Sequence, residues 1–393
     1  MEFSAAAVER AMKLQEVILR AMSGELTWLQ AAHIAGMSPR SLRRWRHRME
    51  EHGYEGLLDR RTGRPSPRRA PVKEVERVLR LYRQKYKGFN ARHFHEVAQR
   101  EHEVQLSYSY VKKALQEAGL VEKKKSRGRH RKQRERRACF GEMLHLDGSP
   151  HPWLALKPQE RQTLIVVVDD ATSDILYARL EAAESTKTVM RALWRVIEQY
   201  GLPLSLYTDQ AGWAFVKKKP GGGIDKTRRT QVGRALEQLG IEHIPGHSPQ
   251  ARGRSERSNR TLQDRLVNEL RAAGIRTVPA ANRYIERVYL PRHRKNFAVR
   301  PRDPQSAFVP LGAVELDDIL CVEETRVVRN DNTVVLNNIR LQIDKQPGRR
   351  SCKGLKVLIR RHIDGRHTIW HGKRCFGHFD HRGRPTQLSK KAA

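Results

Sequence analysis

TLIVVVDDATSDILYARLEA, residues 163–182, is the stretch of sequence that decides the fold. Two runs rich in Val, Leu, Ile and Tyr flank the polar segment Asp-Asp-Ala-Thr-Ser-Asp. Short β-branched and aromatic runs separated by turn-forming residues predict a β-hairpin. Asp169 and Asp170 are therefore assigned to the turn, or to the surroundings of a site.

The neighbouring segments extend this hairpin into an α/β domain. EMLHLDG (142–148) and LPLSLYTDQ (202–210) are strand-like, and IEHIPG (241–246) supplies a short fifth strand. TKTVMRALWRVIEQYG (186–201) has the spacing of an amphipathic helix that ends at Gly201. Three strands, a helix and further strands predict a mixed sheet in an α/β domain.

A long helix is predicted after the fifth strand, in ERSNRTLQDRLVNELRAAG (256–274). Leu262, Leu266 and Leu270 recur every four residues and give this helix one buried stripe. Gly274 is the residue type that commonly follows a helix C-terminus.

The charge balance indicates a polyanionic partner. The 393 residues include 77 Lys plus Arg and 43 Asp plus Glu, for a formal charge of +34. Nucleic acid is the usual partner of such a chain, and a basic membrane-surface protein is the alternative. No apolar run reaches the roughly 18 residues of a membrane span, and neither a lipidation signal nor a signal peptide is evident. We therefore expect a cytoplasmic protein that associates with DNA, without a membrane partner.

The cysteines argue against a structural zinc site or a disulfide framework. Cys139, Cys321, Cys352 and Cys375 are widely spaced and form no Cys-x-x-Cys pair. This spacing suits a reducing compartment.

Residues 1–62 are predicted to form a helix-turn-helix DNA-binding domain. One helix ends near Ala35, Gly36 makes the turn, and Ser38 caps a second helix that has Pro39 at its first position. Leu42, Trp45 and Met49 form one apolar face of that second helix. The candidate DNA contacts lie on its other faces: Arg40, Arg43, Arg44 and His47. An ordinary helical hairpin with a solvated basic face is the alternative.

Residues 63–120 are predicted to form a second helix-turn-helix domain, joined to the first by the Pro- and Arg-rich segment 55–71. Asn90 and Ser107 are suited to helix N-caps. The predicted buried stripe consists of Leu106, Val111 and Leu115. The residues left exposed for DNA are Ser109, Lys112, Lys113 and Gln116. A helical spacer is the alternative.

A basic linker is predicted at 121–140. Residues 121–137 carry ten Lys or Arg and two Glu, so repulsion should keep them extended until they neutralise phosphates. Arg127, Arg129 and Arg131 are the candidate contacts. A plain solvated linker is the alternative.

The C-terminal part is predicted to be a second linker, 301–325, and a small basic β-barrel with a tail, 326–393. Turn signals occur at Asn330-Asp331-Asn332 and at Asp364-Gly365, the latter between two alternating strands. Residues 326–393 hold 17 Lys or Arg and 4 Asp, which favours DNA contact over a purely structural cap.

Three carboxylates stand where strand ends and a helix start should meet. Asp147 lies in the first strand, Asp209 ends the fourth, and Glu256 begins the long helix. Each has an ordinary explanation alone, as a turn residue, a cap or a helix N-terminal charge. Together they repel one another unless a divalent cation binds, and Mg²⁺ prefers such oxygen ligands.

The motifs HLDG, VVVDDATSD, YTDQ and SPQARGRSERSNRTLQ resemble those of DDE-type transposases of bacterial insertion sequences, especially the ISNCY-like group. These enzymes have an integrase core close to that of the retroviral integrases. The resemblance covers about residues 20–385, including the helix-turn-helix pair. The block from Ser248 to Gln263 is its most specific part.

The resemblance implies a multidomain protein with a central RNase H-like catalytic core at 141–300. It implies that Asp147, Asp209 and Glu256 form a metal-binding triad for Mg²⁺ or Mn²⁺, with two ions per active site. The loop Ser248–Arg254 would then lie beside the metals, and Arg257 and Arg260 near the phosphates.

The implied activity is cleavage at the ends of a mobile element and transfer of those ends into target DNA. The implied partners are terminal inverted repeats, target DNA and further copies of the chain on paired ends. A metal-dependent nuclease and a DNA-binding regulator with an inactive core are the alternatives.

Two departures from the family pattern stand out. The interval between Asp209 and Glu256 is 46 residues, longer than is typical, and residues 217–231 look like an insertion. Their glycines do not match a phosphate-binding loop. The His/Cys zinc domain of retroviral integrases also has no counterpart in the sequence pattern.

Overall fold

The computed structural model describes residues 5–58, 70–123, 135–219, 222–225, 227–246 and 253–386, without the Arg254 side chain. The chain divides into two compact units, residues 1–75 and 76–393.

The first unit is helical, as predicted for the N-terminus. Its elements are α1 (Ala5–Met22), α2 (Trp28–Ile34), α3 (Pro39–His52) and a 3₁₀ turn (Gly53–Leu57). The predicted turn and cap are confirmed, because Gly36 has a φ of 63° and the Ser38 side chain accepts from the Ser41 amide at 3.2 Å. Leu42 is fully buried, and Trp45 and Met49 pack against the same core.

A second helical unit begins the larger part of the chain. Its helices are α4 (Val72–Gln84), α5 (Ala91–His102) and α6 (Tyr108–Glu117). The predicted N-caps are confirmed, because the Asn90 and Ser107 side chains accept from backbone amides three residues on. Val111 and Leu115 are fully buried, whereas Leu106 is only partly buried.

A five-stranded mixed sheet forms the centre of the larger unit. A short strand outside this sheet, β1 (Cys139–Phe140), comes first in the chain. The strands of the sheet are β2 (Met143–His151), β3 (Gln162–Asp169), β4 (Ile175–Glu181), β5 (Ser205–Thr208) and β6 (Glu242–Pro245). The spatial order in the sheet is β4-β3-β2-β5-β6. The first three strands of the sheet are antiparallel, and β5 and β6 run parallel to β2. The predicted hairpin and mixed α/β sheet are confirmed.

Helices cover both faces of the sheet. They are α7 (Thr186–Tyr200), α8 (Gln231–Gln238), α9 (Gly253–Ala272), α10 (Val278–Tyr284), a π-helical turn (Ile285–Tyr289) and α11 (Leu290–Phe297). One apolar core joins the sheet to α7 and α8, and a second joins the other face to α9 and α10. Leu262, Leu266 and Leu270 are all fully buried in the second core, as the helical spacing predicts.

The segment 301–325, expected to be a linker, contains regular structure. It includes β7 (Asp303–Ser306) and α12 (Leu316–Ile319). β7 pairs in parallel with β1, which lies at the end of the other predicted linker. The prediction of a linker was wrong because this segment packs on the core: the ring centroids of Phe308 and Phe140 are 5.1 Å apart. These two residues are distant in sequence, so no local sequence pattern indicates their contact.

The C-terminal region is all-β, but its described residues do not show a closed barrel. The strands are β8 (Val322–Val327), β9 (Thr333–Leu336), β10 (Ile339–Gln342), β11 (Lys356–Arg361), β12 (His367–His371) and β13 (Arg374–Phe379). They form a four-stranded sheet, β13-β12-β11-β8, and a separate β9–β10 hairpin that share one core.

The two predicted C-terminal turns differ in outcome. Asp364-Gly365 connects β11 and β12, and Gly365 has a φ of 96°. Asn330-Asp331-Asn332 is a turn, but the hairpin closes at Asn337-Asn338, both of which have positive φ. β8 instead pairs with β11, so the strand before the first turn has a distant partner.

The four cysteines are free thiols, and Cys321 and Cys352 are buried. Among the helices of the described ranges, none has the length and hydropathy that a bilayer crossing requires.

Candidate active site

Asp147 lies on β2, the central strand of the sheet, on the face covered by α9. It is opposite Val166 of β3, and Ser149 is opposite Leu164; both β3 residues belong to the core beneath α9. Side chains of α9 contact Asp147 and Ser149. Asn259 Nδ2 donates to Asp147 Oδ2 at 2.9 Å, and Gln263 Nε2 donates to Ser149 Oγ at 3.0 Å.

Asp209 follows β5, the parallel neighbour of β2. The ladder pairs Met143 with Ser205 and His145 with Tyr207. Asp209 lies one residue beyond the end of β5. Continuing the register by two residues would set it level with Asp147 and on the same face, where neighbouring strands lie about 4.8 Å apart. Asp209 Oδ1 accepts from the Ala211 amide at 3.0 Å, which orients its carboxylate locally.

Glu256 lies in the first turn of α9, three residues before Asn259. Residues three apart on a helix share a face, so the hydrogen bond from Asn259 to Asp147 brings the turn that carries Glu256 toward β2. Its Oε1 also lies 3.3 Å from Arg260 Nη2. Both side chains are well exposed, so this ion pair is weak and can open.

The three candidate ligands are oxygen donors of the kind that hard divalent cations prefer. Within the described part of the chain, no three His, Cys, Asp or Glu side chains are arranged closely enough to hold a metal ion. The two aspartates lie on or directly after neighbouring parallel strands, and Glu256 is linked to Asp147 through Asn259 of the same helix. The residues fit a cation in donor chemistry, with closure of the exposed Glu256 side chain still required.

Asp169 and Asp170, which were assigned to the turn or to the surroundings of a site, are both fully buried. Asp169 accepts from the Gly141 amide at 2.9 Å and from the Thr172 hydroxyl at 2.6 Å. Burial raises the pKa of Asp169, although these hydrogen bonds oppose the rise. Asp170 accepts a hydrogen bond from the Arg137 amide, and its Oδ1 lies 2.8 Å from Nε2 of His145. His145 precedes Asp147 by two residues and lies on the same face of β2.

His243 on β6 supports the end of β5 just before Asp209. Its Nε2 lies 2.9 Å from the hydroxyl of Thr208, and its ring stacks on Phe215 at 4.1 Å. Burial lowers the pKa of His243 to about 4, so the ring is neutral near pH 7.

Asn259 and Gln263 were not predicted as part of the site. Both were detectable in principle, since they follow Glu256 at helical spacings of three and seven. On the other face of β2, a Cβ on Gly148 would lie 2.7 Å from the carboxyl carbon of Glu184, so glycine lets this acid approach the strand on the side away from Asp147.

The candidate DNA contacts on α3 and α6 are mostly exposed. The α3 contacts are Arg40, Arg43, Arg44 and His47, and all four are exposed. On α6, Ser109, Lys112 and Lys113 are exposed, whereas Gln116, which was also expected to be exposed, is half-buried.

The remaining candidates are divided by what the structure describes. Arg257 and Arg260 are exposed on α9. Arg127, Arg129, Arg131 and the loop 247–252 lie outside the described residues, as does the Arg254 side chain.

Two domain families match the N-terminal part of the chain. Residues 41–115 match a homeodomain-like domain, and residues 15–66 match a helix-turn-helix domain.

Two transposases are similar to most of the chain. The putative transposase y4bF of Sinorhizobium fredii (strain NBRC 101917 / NGR234) is 31% identical over 367 residues, which cover 93% of this chain and 79% of that protein. The transposase for insertion sequence IS1202 of Streptococcus pneumoniae is 28% identical over 304 residues, covering 68% of this chain and 64% of that protein.

Solved structures resemble the chain only distantly. The simian T-cell lymphotropic virus intasome, in complex with PP2A regulatory subunit B56 gamma, has a chain 14% identical with a TM-score of 0.33; the match covers 72% of this chain and 93% of that one. The HTLV-2 integrase catalytic core domain with magnesium, in its trimeric form, is 17% identical with a TM-score of 0.28, covering 37% of this chain and 85% of that one. Such scores support no argument about function.

Proposed function

The chain belongs to the transposase family of its Sinorhizobium fredii relative, and from this premise we propose a DDE-type DNA transposase whose acidic site is Asp147, Asp209 and Glu256. One observation carries the assignment of the site. Asn259 of α9 donates to Asp147 of β2, so the helix that carries Glu256 meets the central strand at this carboxylate. Asp209 follows the parallel neighbour of that strand, and continuing the register of the two strands would set it level with Asp147.

The sheet order supports an RNase H-like core. Three antiparallel strands are followed by two parallel ones, and helices cover both faces. In such a core the central strand and its parallel neighbour would present the two aspartates side by side.

The three carboxylates would hold Mg²⁺ or Mn²⁺, with two ions per site. Bound divalent cations supply the positive charge that carboxylates and a reacting phosphodiester need to lie together. Asn259 fixes the orientation of Asp147 through its hydrogen bond. Arg260, now paired with Glu256, is free to contact a phosphate once that acid turns toward the aspartates.

Two displacements at phosphorus would occur in this site. First, a water oxygen attacks the phosphodiester at the element's end, and the bond to the 3′ oxygen breaks to leave a 3′-OH and a 5′-phosphate. Second, that 3′-OH attacks a target phosphodiester in line, and the 3′ oxygen of the target leaves. Both reactions exchange one P–O bond for another, so the same arrangement of carboxylates serves both.

End recognition would fall to α3 and α6. Their exposed basic residues, Arg40, Arg43, Arg44 and Lys112 among them, suit phosphate and base-edge contacts in a major groove. The C-terminal β region and the basic segment 121–137 would hold DNA with little sequence preference. We propose that copies of the chain assemble on paired ends of the element, in the cytoplasm and in association with the nucleoid.

A strand-transfer assay tests this function. The full chain is incubated with a labelled duplex of the DNA that flanks its gene, a supercoiled target plasmid, and Mg²⁺, Mn²⁺ or a chelator. We expect joined products only with a metal. Cleavage of any DNA without joining would identify a nuclease, and specific binding without cleavage would identify a regulator; either result would overturn the proposal.

A further inference from the structure

The second helical unit packs directly on α9, the helix that carries Glu256. Its own core, built from α4, α5 and α6, is completed by Ala272 of α9. The leucine stripe of α9 faces the sheet, so this contact uses another side of the same helix. One helix therefore contributes to both the candidate active site and the base of the second helical unit.

A buried acid lies at the centre of this contact. Glu269 Oε1 lies 2.9 Å from His93 Nε2 of α5, and Tyr284 donates its hydroxyl proton to Oε2 at 2.8 Å. Burial pushes the pKa of Glu269 upward. The hydrogen bonds from His93 and Tyr284, with the charges of His93 and Arg100, together outweigh burial, so the pKa lies below its usual range. A buried carboxylate with these partners demands one geometry, because losing any partner leaves a desolvated charge.

A second ion pair lies one helical turn earlier. Arg265 Nη1 donates to Glu96 Oε2 of α5 at 2.6 Å, and the Arg265 guanidinium lies 4.7 Å from the Phe297 ring centroid. Arg265 is only 8% exposed, so this pair is shielded from solvent far more than the surface ion pairs of the chain.

Polar contacts line the edge of the same interface. The Asn90 side chain, which also caps α5, donates to Asp264, and Asn268 Nδ2 donates to the Gly88 carbonyl at 3.2 Å. Arg271 donates to the Lys87 carbonyl. The contacts on α9 thus recur at 264, 268 and 271 and at 265, 269 and 272, two adjacent rows along one side of the helix.

The contact extends to α6 through α5. His95 donates from Nε2 to the Leu106 carbonyl at 2.9 Å, which fixes the turn before α6, and the two helices share one buried core. Lys112 and Lys113 remain exposed on the outer side of α6. From Glu269 to Glu256, α9 runs 13 residues, or about 20 Å, toward the active site.

We propose that this interface fixes the distance between the DNA bound by α6 and the phosphate that is cut. Glu96, Arg265, His93 and Glu269 are then positioning residues, which determine where the cut falls. The inference rests on the proposed function, because it assigns a cut position to the site at Glu256.

Charge exchange at the Glu96–Arg265 pair tests the proposal in the full chain. Glu96→Arg and Arg265→Glu each place like charges together, and the double variant restores an opposite pair. Glu96→Gln is a milder variant if a reversal prevents folding. Lys157→Glu, which breaks an exposed pair with Glu160, is the matched control.

Two readouts are needed. One is the distribution of cut positions on the labelled flanking duplex. The other, without DNA, is hydrogen exchange in α5 and α9. We expect each single variant to bind the duplex as wild type does, to cut at scattered positions, and to lose about 100-fold in rate at the normal one. The double variant should recover one cut position, and exchange in both helices should rise and recover in parallel.

Three results bear on the proposal differently. Single variants that cut more slowly at the normal position alone would overturn it, since a merely structural contact predicts that outcome. Unchanged exchange in both helices would also overturn it. A wild-type chain that cuts nothing would refute the proposed function, while the exchange data would still decide whether the interface holds the two helices together.

Discussion

The side-chain amide of Asn259 donates a 2.9 Å hydrogen bond to Oδ2 of Asp147, and this contact joins the start of α9 to the central strand. Asn259 lies one helical turn after Glu256, so the same contact locates the third acid relative to the first. Asp147 is half-buried at this contact.

Replacing Asn259 should therefore reduce catalysis more than binding. A hydrogen bond to a charged group contributes about 1.5–3 kcal/mol, so Asn259→Ala should lower the strand-transfer rate by about 10- to 100-fold. Affinity for the flanking duplex should be unchanged in a gel-shift titration. Thr261→Ala, which removes a hydrogen bond to the Arg257 carbonyl on the same helix, is the control and should be nearly neutral. Equal losses in both variants would contradict the role given to Asn259.

Gly148, which follows Asp147, leaves room for the Glu184 carboxylate on the opposite face of β2. In Gly148→Ala the new methyl group would lie within 2.9 Å of three carboxyl atoms, so Glu184 must move. Because that group is the end of a flexible side chain, we expect a loss of about 1 kcal/mol in unfolding free energy, at the low end for overpacking. Adding Glu184→Ala should restore the melting temperature of the single variant. A double variant no more stable than Gly148→Ala would show that the contact is not the cause.

Arg43 and Arg44 are exposed on α3 and are predicted to contact the element's ends. If one of them contacts a base edge, its replacement by Ala should weaken binding by about 1–3 kcal/mol and relax specificity at one position. Competition titrations with single-base variants of the flanking duplex measure both effects. Arg10→Ala, an exposed arginine on α1, is the matched control. Equal losses on flanking and random DNA would assign Arg43 and Arg44 to phosphate contacts.

His293 should make the larger unit sensitive to acid. It is 5% exposed, and burial, with the nearby charge of Arg265, lowers its pKa to about 4. In the unfolded chain His293 takes up a proton near pH 6.5, whereas in the folded chain it stays neutral down to about pH 4. Stability is therefore full above that range and falls as the pH drops through it, by about 2–4 kcal/mol from this residue.

The check is denaturant unfolding at pH 7 and pH 4.5 for wild type and His293→Gln. The variant should lose less stability between the two pH values than wild type does. An identical loss in both would mean that His293 does not set the acid response.

Local patterns predicted much of this fold because local chemistry determines them. The caps at Ser38, Asn90 and Ser107 form within three residues, and the stripe at Leu262, Leu266 and Leu270 follows from helical geometry. The strand pattern likewise predicted the order in which strands and helices follow one another.

The features that were missed depend on contacts between distant residues. His93 and Glu269 are 176 residues apart, and β8 pairs with β11 rather than with its neighbour β9. Asparagine-rich turns occur at both 330–332 and 337–338, and composition does not show which of them closes a hairpin. The closed barrel was expected for the same reason, since strand content does not determine which edges pair.

The three acids were predicted from their order along the chain and from the family resemblance, and their assignment to one site stays a prediction. The sequence could not show how the start of α9 approaches β2, which the hydrogen bond from Asn259 to Asp147 makes clear. Asn259, which makes this contact, lies in the same sequence motif as Glu256, residues 248–263.

The most direct test of the account is strand transfer by Glu256→Gln in Mg²⁺, measured with the flanking duplex and a supercoiled target. The substitution keeps the size of the side chain and removes its charge. Helix stability should change little, because an exposed N-terminal carboxylate contributes about 0.3–1 kcal/mol. Glu286→Gln, an exposed acid elsewhere on the chain, is the control. We predict that Glu256→Gln binds the duplex as wild type does and forms no joined product, as Asp147→Asn and Asp209→Asn should also do. A Glu256→Gln protein that joins ends to target DNA at the wild-type rate would contradict the assignment of the active site.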